Sequence, residues 1–163
     1  MSDEPITSAD VDRIWKMMKE INICMLVTVH RDQINARPMA TTVRPEHNDI
    51  IMLTEKTSGK DRELAESPHA VLNFSNGATE FVALRGIATR NDDRALIKEM
   101  WNPGAQVFWP KGPGDPNIEA IIVRPVEAEY WASSSSLLNS VKMAFAMVTG
   151  QKPDLGENEK VAL

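Results

Sequence analysis

The 163-residue chain holds a single cysteine, Cys24, so it can form no internal disulfide and no metal site built from several thiolates. Cys24 stands between Ile23 and Met25, where a thiol behaves as a small buried hydrophobe. An excess of cations is also missing. Eighteen Lys and Arg face 23 Asp and Glu, giving a net charge of -5 and a pI near 5.2. A general nucleic-acid binder presents a basic patch or stripe, so nucleic acid is not an expected partner. No apolar run approaches the roughly 20 residues that cross a bilayer. The opening segment MSDEPITSADVD lacks the cationic and apolar regions of a signal peptide, so the expected setting is cytoplasmic, with no membrane partner.

Several chemistries are missing their residues. His30, His47 and His69 fall in or beside turns, each without a cysteine or second histidine at ligand spacing, so no metal site is expected. There is no G-x-S-x-G elbow, and the serines at 133–136 have no ordered base partner. Neither G-x-G-x-x-G nor a Walker A loop occurs. Asp92 and Asp93 open a helix, where capping and the helix dipole account for them. No residue stands out as catalytic.

What is present is a pattern of short strands with helices at the margins. Thr7 and Asp10 resemble a capping box, and Val11, Ile14, Trp15, Met18 and Ile21 recur at helical spacing, predicting an amphipathic helix over about 8–20. CMLVTV, INARPMATTV and IIMLT read as three antiparallel strands of a meander, because their separating breaks are too short for crossovers. Pro38 within the second marks an edge, a bulge or a distortion. SGKDRELAES reads as a short helix with Ser58 as N-cap and Leu64 inward. AVLNFS and FVALRGIAT read as strands, with Gly86 at a bulge or a close backbone approach.

NDDRALIKEMW reads as a helix capped by Asp92. NPGAQVFWPKGPGDPN, with four of the ten prolines, reads as an irregular loop whose Val107, Phe108 and Trp109 pack it down. EAIIVRPVEAEYW supplies two strand segments split near Arg124 and Pro125. LLNSVKMAFAMVTG predicts a C-terminal helix with a Leu138, Val141, Phe145, Val148 stripe, and 151–163 a polar, frayed tail. The expectation is one domain over 1–150, of α+β class: a six- or seven-stranded antiparallel split β-barrel with flanking helices.

One stretch, residues 35–64, concentrates polar chemistry. Thr54, Thr57, Ser58 and Lys60 gather at the start of a helix, with Arg37 one strand away. Free backbone amides, hydroxyls and a cation at a helix N-terminus can hold a phosphate. A cation in the first helical turn opposes the dipole, and a bound anion would offset that cost. The residues alone fit this reading and also a solvated turn before a capped helix.

RPMATTV, IIMLT and TSGKDREL, in that order, resemble the flavin-binding core of the pyridoxamine 5'-phosphate oxidase-like split barrels. FVALRGIAT, the helix ending in EMW, the FWPKGPGDP loop and EAEYW are similar to the general stress protein branch, and the resemblance covers roughly 8–132. It implies FMN as cofactor, with Arg37, Pro38, Met39, Ala40, Thr41 and Thr42 along the flavin ring and ribityl chain. Leu53 and Thr54 would approach through backbone, while Ser58 and Lys60 would hold the phosphate. Gly59 stands where the family's S-R-K loop has arginine, and Arg62 is a candidate to compensate or a solvated helix residue.

The resemblance also implies a homodimer with flavin sites at the interface. Trp109 would then cover the partner's flavin, or else anchor the dimer or the core. True pyridoxamine-phosphate oxidases end in a tryptophan and arginine segment, whereas here Trp131 leads into SSSSLLNS with no later arginine, so that activity is not expected. The expectation is a general stress type FMN protein acting as an oxidoreductase on an unidentified substrate. Its alternatives are a non-catalytic flavin binder or sensor, or a barrel that takes deazaflavin F420 or haem.

Overall fold

The computed structural model describes residues 8–132 and 157–163. The predicted C-terminal helix and its stripe, and residues 151–156 of the predicted tail, lie outside these residues. Helix α1 (Ser8–Ile21) buries Ile14, Trp15, Met17 and Met18, the face set by the 3.6-residue period. Strands β1 (Ile23–His30), β2 (Gln33–Ala40), β3 (Thr42–Arg44) and β4 (Asp49–Glu55) follow, with a 3-10 turn at Pro45–His47. Helix α2 (Gly59–Glu66), β5 (His69–Ser75), β6 (Glu80–Asn91), α3 (Arg94–Glu99), α4 (Pro103–Phe108), β7 (Ile118–Ala132) and β8 (Glu157–Ala162) complete the order.

The expected α+β class holds: one antiparallel sheet runs β2-β1-β5-β6-β7-β4-β3, with β8 on β7. The expected three-strand meander does not form. β2 pairs with β1, but its predicted continuation breaks at Thr41 into β3, which pairs with β4 at the opposite end of the sheet. A single residue therefore joins the two edge strands, so the sheet is rolled until its edges meet without laddering. Thr41 N donates to Asn22 O at 2.9 Å at this seam. Pro38 lies on an edge strand, where its missing N–H costs no interior ladder bond.

The barrel interior takes alternate residues: Cys24 and Leu26, Ile50 and Met52, Leu72 and Phe74, Val82 and Leu84, all at most 1% exposed. Desolvation pushes the Cys24 thiol up to about 12, as expected of a core hydrophobe. α1 and Tyr130 close one end, and α2 lies against β1 at the other. A second apolar cluster sits outside the barrel, where Ile97 and Met100 cover Ile51, Ile118 and Ala120. Among the described residues no helix is long and apolar enough to cross a membrane.

The two strand segments predicted around Pro125 form one strand, β7. The register with β6 shifts at Arg85/Gly86, where Arg85 pairs with Glu127 and Gly86 with Pro125, leaving Val126 over. That bulge switches the inward parity from Ile121 and Val123 to Ala128 and Tyr130. It also seats Pro125 where the ladder is already broken. Gly86 is obligatory on packing grounds, since a Cβ there would lie 2.6 Å from Arg124 O and from Val123 Cγ1.

Three local expectations need correction. The α3 cap is Asp93, which accepts from Ala95 N, while Asp92 pairs with Lys56 at 3.0 Å. Residues 103–108 are helical rather than irregular: Asn102 caps Ala105 N and Pro103 occupies the first turn, where its missing N–H would have been unpaired anyway. Residues 157–162, placed in a frayed tail, ladder onto Glu127–Ala132, whose outer edge β4 does not reach.

Replacing Gly86 by alanine should lower stability by about 1–3 kcal/mol, because the added methyl meets backbone that must shift. Thermal unfolding by circular dichroism checks this, and an unchanged melting temperature would show that the close approach relaxes freely.

Candidate functional site

A cleft of about 430 Å³ lies over the seam where β2 passes into β3. Ten of the eleven expected residues line it: Pro38, Met39, Ala40, Thr41, Thr42, Leu53, Thr54, Ser58, Lys60 and Trp109. Arg37 does not, although Met39, of the same strand parity, does. Asn35, Arg37 and Met39 stand opposite the core residues Thr28, Leu26 and Cys24, whereas Ala36, Pro38 and Ala40 face outward.

Arg37 instead joins a polar cluster at the α2 end of the barrel. Its guanidinium donates to Glu63 Oε2 and to Thr28 Oγ1, both at 2.5 Å. Thr28 also donates to Glu63, and Asn35 Nδ2 donates to Glu63 Oε1 at 3.0 Å. Burial pushes the Glu63 carboxyl up, but the hydrogen bonds from Thr28 and Arg37 and the Arg37 charge outweigh it, leaving it below the usual carboxylate range. This cluster fixes α2 against β1 and β2, and with it the turn that opens the helix.

At that turn Ser58 is the N-cap in extended backbone, with no side-chain capping bond, and its Oγ lies 3.4 Å from Thr54 Oγ1. The first α2 amides thus have no side-chain acceptor from their own cap. Lys60 follows in the first turn, and desolvation together with the nearby Arg37 charge lowers its ammonium pKa. A half-buried cation at a helix N-terminus is a disfavoured arrangement that an anion would relieve. Thr41 Oγ1, also on the cleft, is buried with no hydrogen-bond partner among the described residues. Both features match a ligand with an anionic end and hydrogen-bonding groups along its length.

The opposite wall comes from the segment read as irregular. Met100, Asn102, Gly104, Ala105 and Phe108 join Trp109 there, and Ile51 and Glu55 extend the β4 side. Trp109 packs tilted against Trp101 at 6.2 Å and Phe108 at 6.1 Å between ring centroids. It therefore borders the cleft of its own chain. The Asn-Pro-Gly sequence at 102–104 was the available signal for this wall, since it places a capping side chain directly before a first-turn proline. Arg62 lines a neighbouring pocket and not this cleft.

Residues 9–154 match the family model described as pyridoxamine 5'-phosphate oxidase like. The chain belongs to this family. Among solved structures, general stress protein 26 from Jannaschia sp. CCS1 superposes with a TM-score of 0.74 at 23% identity, covering 95% of this chain and 99% of that one. The general stress FMN/FAD binding protein from Xanthomonas citri superposes with a TM-score of 0.71 at 24% identity, covering 80% and 93%. The curated relative Protein bli-3 of Neurospora crassa is 25% identical over 124 residues, 70% of this chain and 59% of that protein. The chain thus spans about three fifths of that relative's length. The fold is the one shared by this family's general stress members.

Glu63→Gln should destabilise the domain by about 1–3 kcal/mol, by leaving the Arg37 charge half-buried without its counter-ion. Because the folded carboxyl titrates below its unfolded value of about 4.3, the difference from wild type should be full above that pH and vanish as pH falls through the folded value. Denaturant unfolding of both proteins across this range tests the assignment; a constant difference would mean that the charge contributes nothing.

Proposed function

We propose that the protein is a cytoplasmic FMN-binding protein of general stress type, a flavin-dependent oxidoreductase acting on an unidentified small molecule. The observation that carries the reading is the single cleft in which Lys60 and the α2 N-terminus stand at one end, with Thr41, Thr42 and Trp109 along it. FMN has matching parts: a phosphate for the helix N-terminus, a hydroxylated chain, and a planar ring suited to Met39, Leu53 and Trp109. Arg37 does not touch the cleft, but its charge adds to the positive potential around Lys60. Bound flavin supplies the redox chemistry, and the residues of this chain supply position, electrostatics and exclusion of water. Glu55 and Lys60 are the titratable side chains on the cleft, which accords with a protein that leaves the chemistry to its cofactor.

We also infer a homodimer. The outward face of β1 and β2 exposes Ile23, Met25, Val29 and Ile34, and the cross-strand pair Phe81 and Trp131 continues the same face. Pro38 and Ala40 pair across from Met25 and Ile23, so the wall of the cleft runs into this apolar surface. A second copy of the chain laid on that face would cover both.

Titration with FMN, followed by flavin fluorescence, should show saturable binding, and Lys60→Ala should weaken it by about tenfold, the loss of one charge-assisted phosphate contact. Wild-type affinity should fall as pH rises through the lowered Lys60 pKa, earlier than for an ordinary lysine near about 10.4. No saturable FMN binding would refute the reading. Trp131→Glu should convert a dimer to a monomer in light scattering, and a monomeric wild type would refute the dimer.

A further inference from the structure

The two walls of the cleft differ in chemistry. Its titratable side chains, Glu55 and Lys60, flank the turn that opens α2, where Ser58 N donates to Glu55 O at 3.1 Å. The α4 wall, made by Met100, Asn102, Gly104, Ala105, Phe108 and Trp109, contributes no charged side chain. Asn102 and Phe108 are its exposed members with polar and aromatic groups to offer, and the Phe108 ring is 74% exposed.

An exposed ring is ordinary on a loose surface, but α4 is clasped at both ends. Asn102 caps its start, and the Gln106 amide accepts from Trp101 Nε1 at 3.3 Å before the helix and donates to Pro110 O at 3.0 Å after it. Phe108 leans on Trp109, which leans in turn on Trp101. A ring fixed in this way at the edge of a cleft offers a stacking face whose ordering cost is already met.

The cap also orients the Asn102 amide. Ala105 N donates to its side chain at 3.0 Å, and of the two amide ends the oxygen alone accepts, so Nδ2 is turned away from the helix. That nitrogen has no hydrogen-bond partner among the described residues. A Cβ at Gly104 would lie 3.0 Å from Asn102 Oδ1, so glycine there leaves the amide its place. The wall thus carries one stacking face and one spare donor, on neighbouring turns of a fixed helix.

We propose that the α4 wall seats the second ligand of this site, an uncharged planar ring that carries a carbonyl-type oxygen. The proposal rests on the flavin reading, which places the cofactor's phosphate at the α2 turn and so assigns the cleft's cation to the cofactor. Phe108 stacks on the ring of the substrate, and Asn102 Nδ2 donates to its oxygen. A carboxylate or phosphate would lose its hydration on this wall without a cation to replace it, so anionic substrates are rejected.

The test is equilibrium dialysis of the full chain, at saturating FMN, against three planar probes of similar size: coumarin, naphthalene and coumarin-3-carboxylate. The two neutral probes should bind, and the carboxylate should bind about tenfold more weakly than coumarin. Asn102→Asp keeps an acceptor for Ala105 N but loses the donor. It should weaken coumarin by about threefold to tenfold while moving naphthalene by less than about twofold. Phe108→Ala should weaken both neutral probes by about threefold to tenfold. Val107→Ala, at a position 77% exposed but off the cleft, should move neither. Both site residues are exposed, so the variants should fold, which circular dichroism verifies, and their FMN affinity should stay within about twofold of wild type. If FMN binds and coumarin does not, the seat is wrong and the flavin reading stands. Equal binding of the carboxylate, an Asn102→Asp effect shared by naphthalene, a Val107→Ala effect as large as that of Phe108→Ala, or a matching loss of FMN would also overturn the seat alone. If FMN itself does not bind, both readings fall together.

Discussion

A chain that must join the two edges of one sheet through a single residue has little freedom in how that sheet is arranged. Thr41 imposes this constraint, since β2 ends at Ala40 and β3 starts at Thr42, yet these strands terminate opposite ends of the hydrogen-bonded path. The sheet has to roll, and the roll creates the interior that α1, Leu26, Leu72 and Tyr130 fill. It also creates a seam where strands approach without pairing along their length. Backbone and side-chain polar groups at such a seam are not consumed by a ladder, and the Thr41 hydroxyl, without a hydrogen-bond partner among the described residues, is one of them. The cleft is thus a by-product of closing the barrel at this point.

Electrostatics adds the second layer. In a protein with an acidic surplus, Arg37 and Lys60 gather at one helix start, and Glu63 holds only one of them in an ion pair. The two cations take different partners: Arg37 turns to Thr28 and Glu63, and Lys60 lines the cleft. Lys60 is left with a lowered pKa and no ion pair among the described residues, while Arg37 serves to anchor the helix that carries it. The same side-chain pattern that builds the scaffold sets the potential at its open end.

Much of this was readable from residue order. α1, α2 with its Ser58 cap, the edge position of Pro38 and the constraint at Gly86 each follow from local rules, and most of the cleft residues fall in segments picked out by their strand and turn chemistry. Three things were not. Pairing is not local, so a run from Ile34 to Val43 looked like one strand although its halves belong to opposite edges. Prolines at 103, 110, 113 and 116 masked a helix, because the proline at its first turn was weighed as a breaker rather than as a start. The inward turn of Arg37 depended on a parity that is defined only once its partners on β1 are known.

β7 has a consequence for how the domain comes into being. It pairs with β6 from Ala120 to Ala132 apart from the bulged Val126, with β4 along its first half and with β8 along its second. Until β7 exists, the β3–β4 hairpin has no strand to join, and the β1–β2 and β5–β6 pairs form an open four-stranded layer with an exposed apolar side. Synthesis runs from the N-terminus, so the ribosome must deliver nearly all of residues 8–132 before the barrel can close. Sequence-distant pairings of this kind slow folding and prolong the lifetime of open, adhesive intermediates. Nascent chains of this protein should therefore depend on chaperones during a window that ends when β7 emerges.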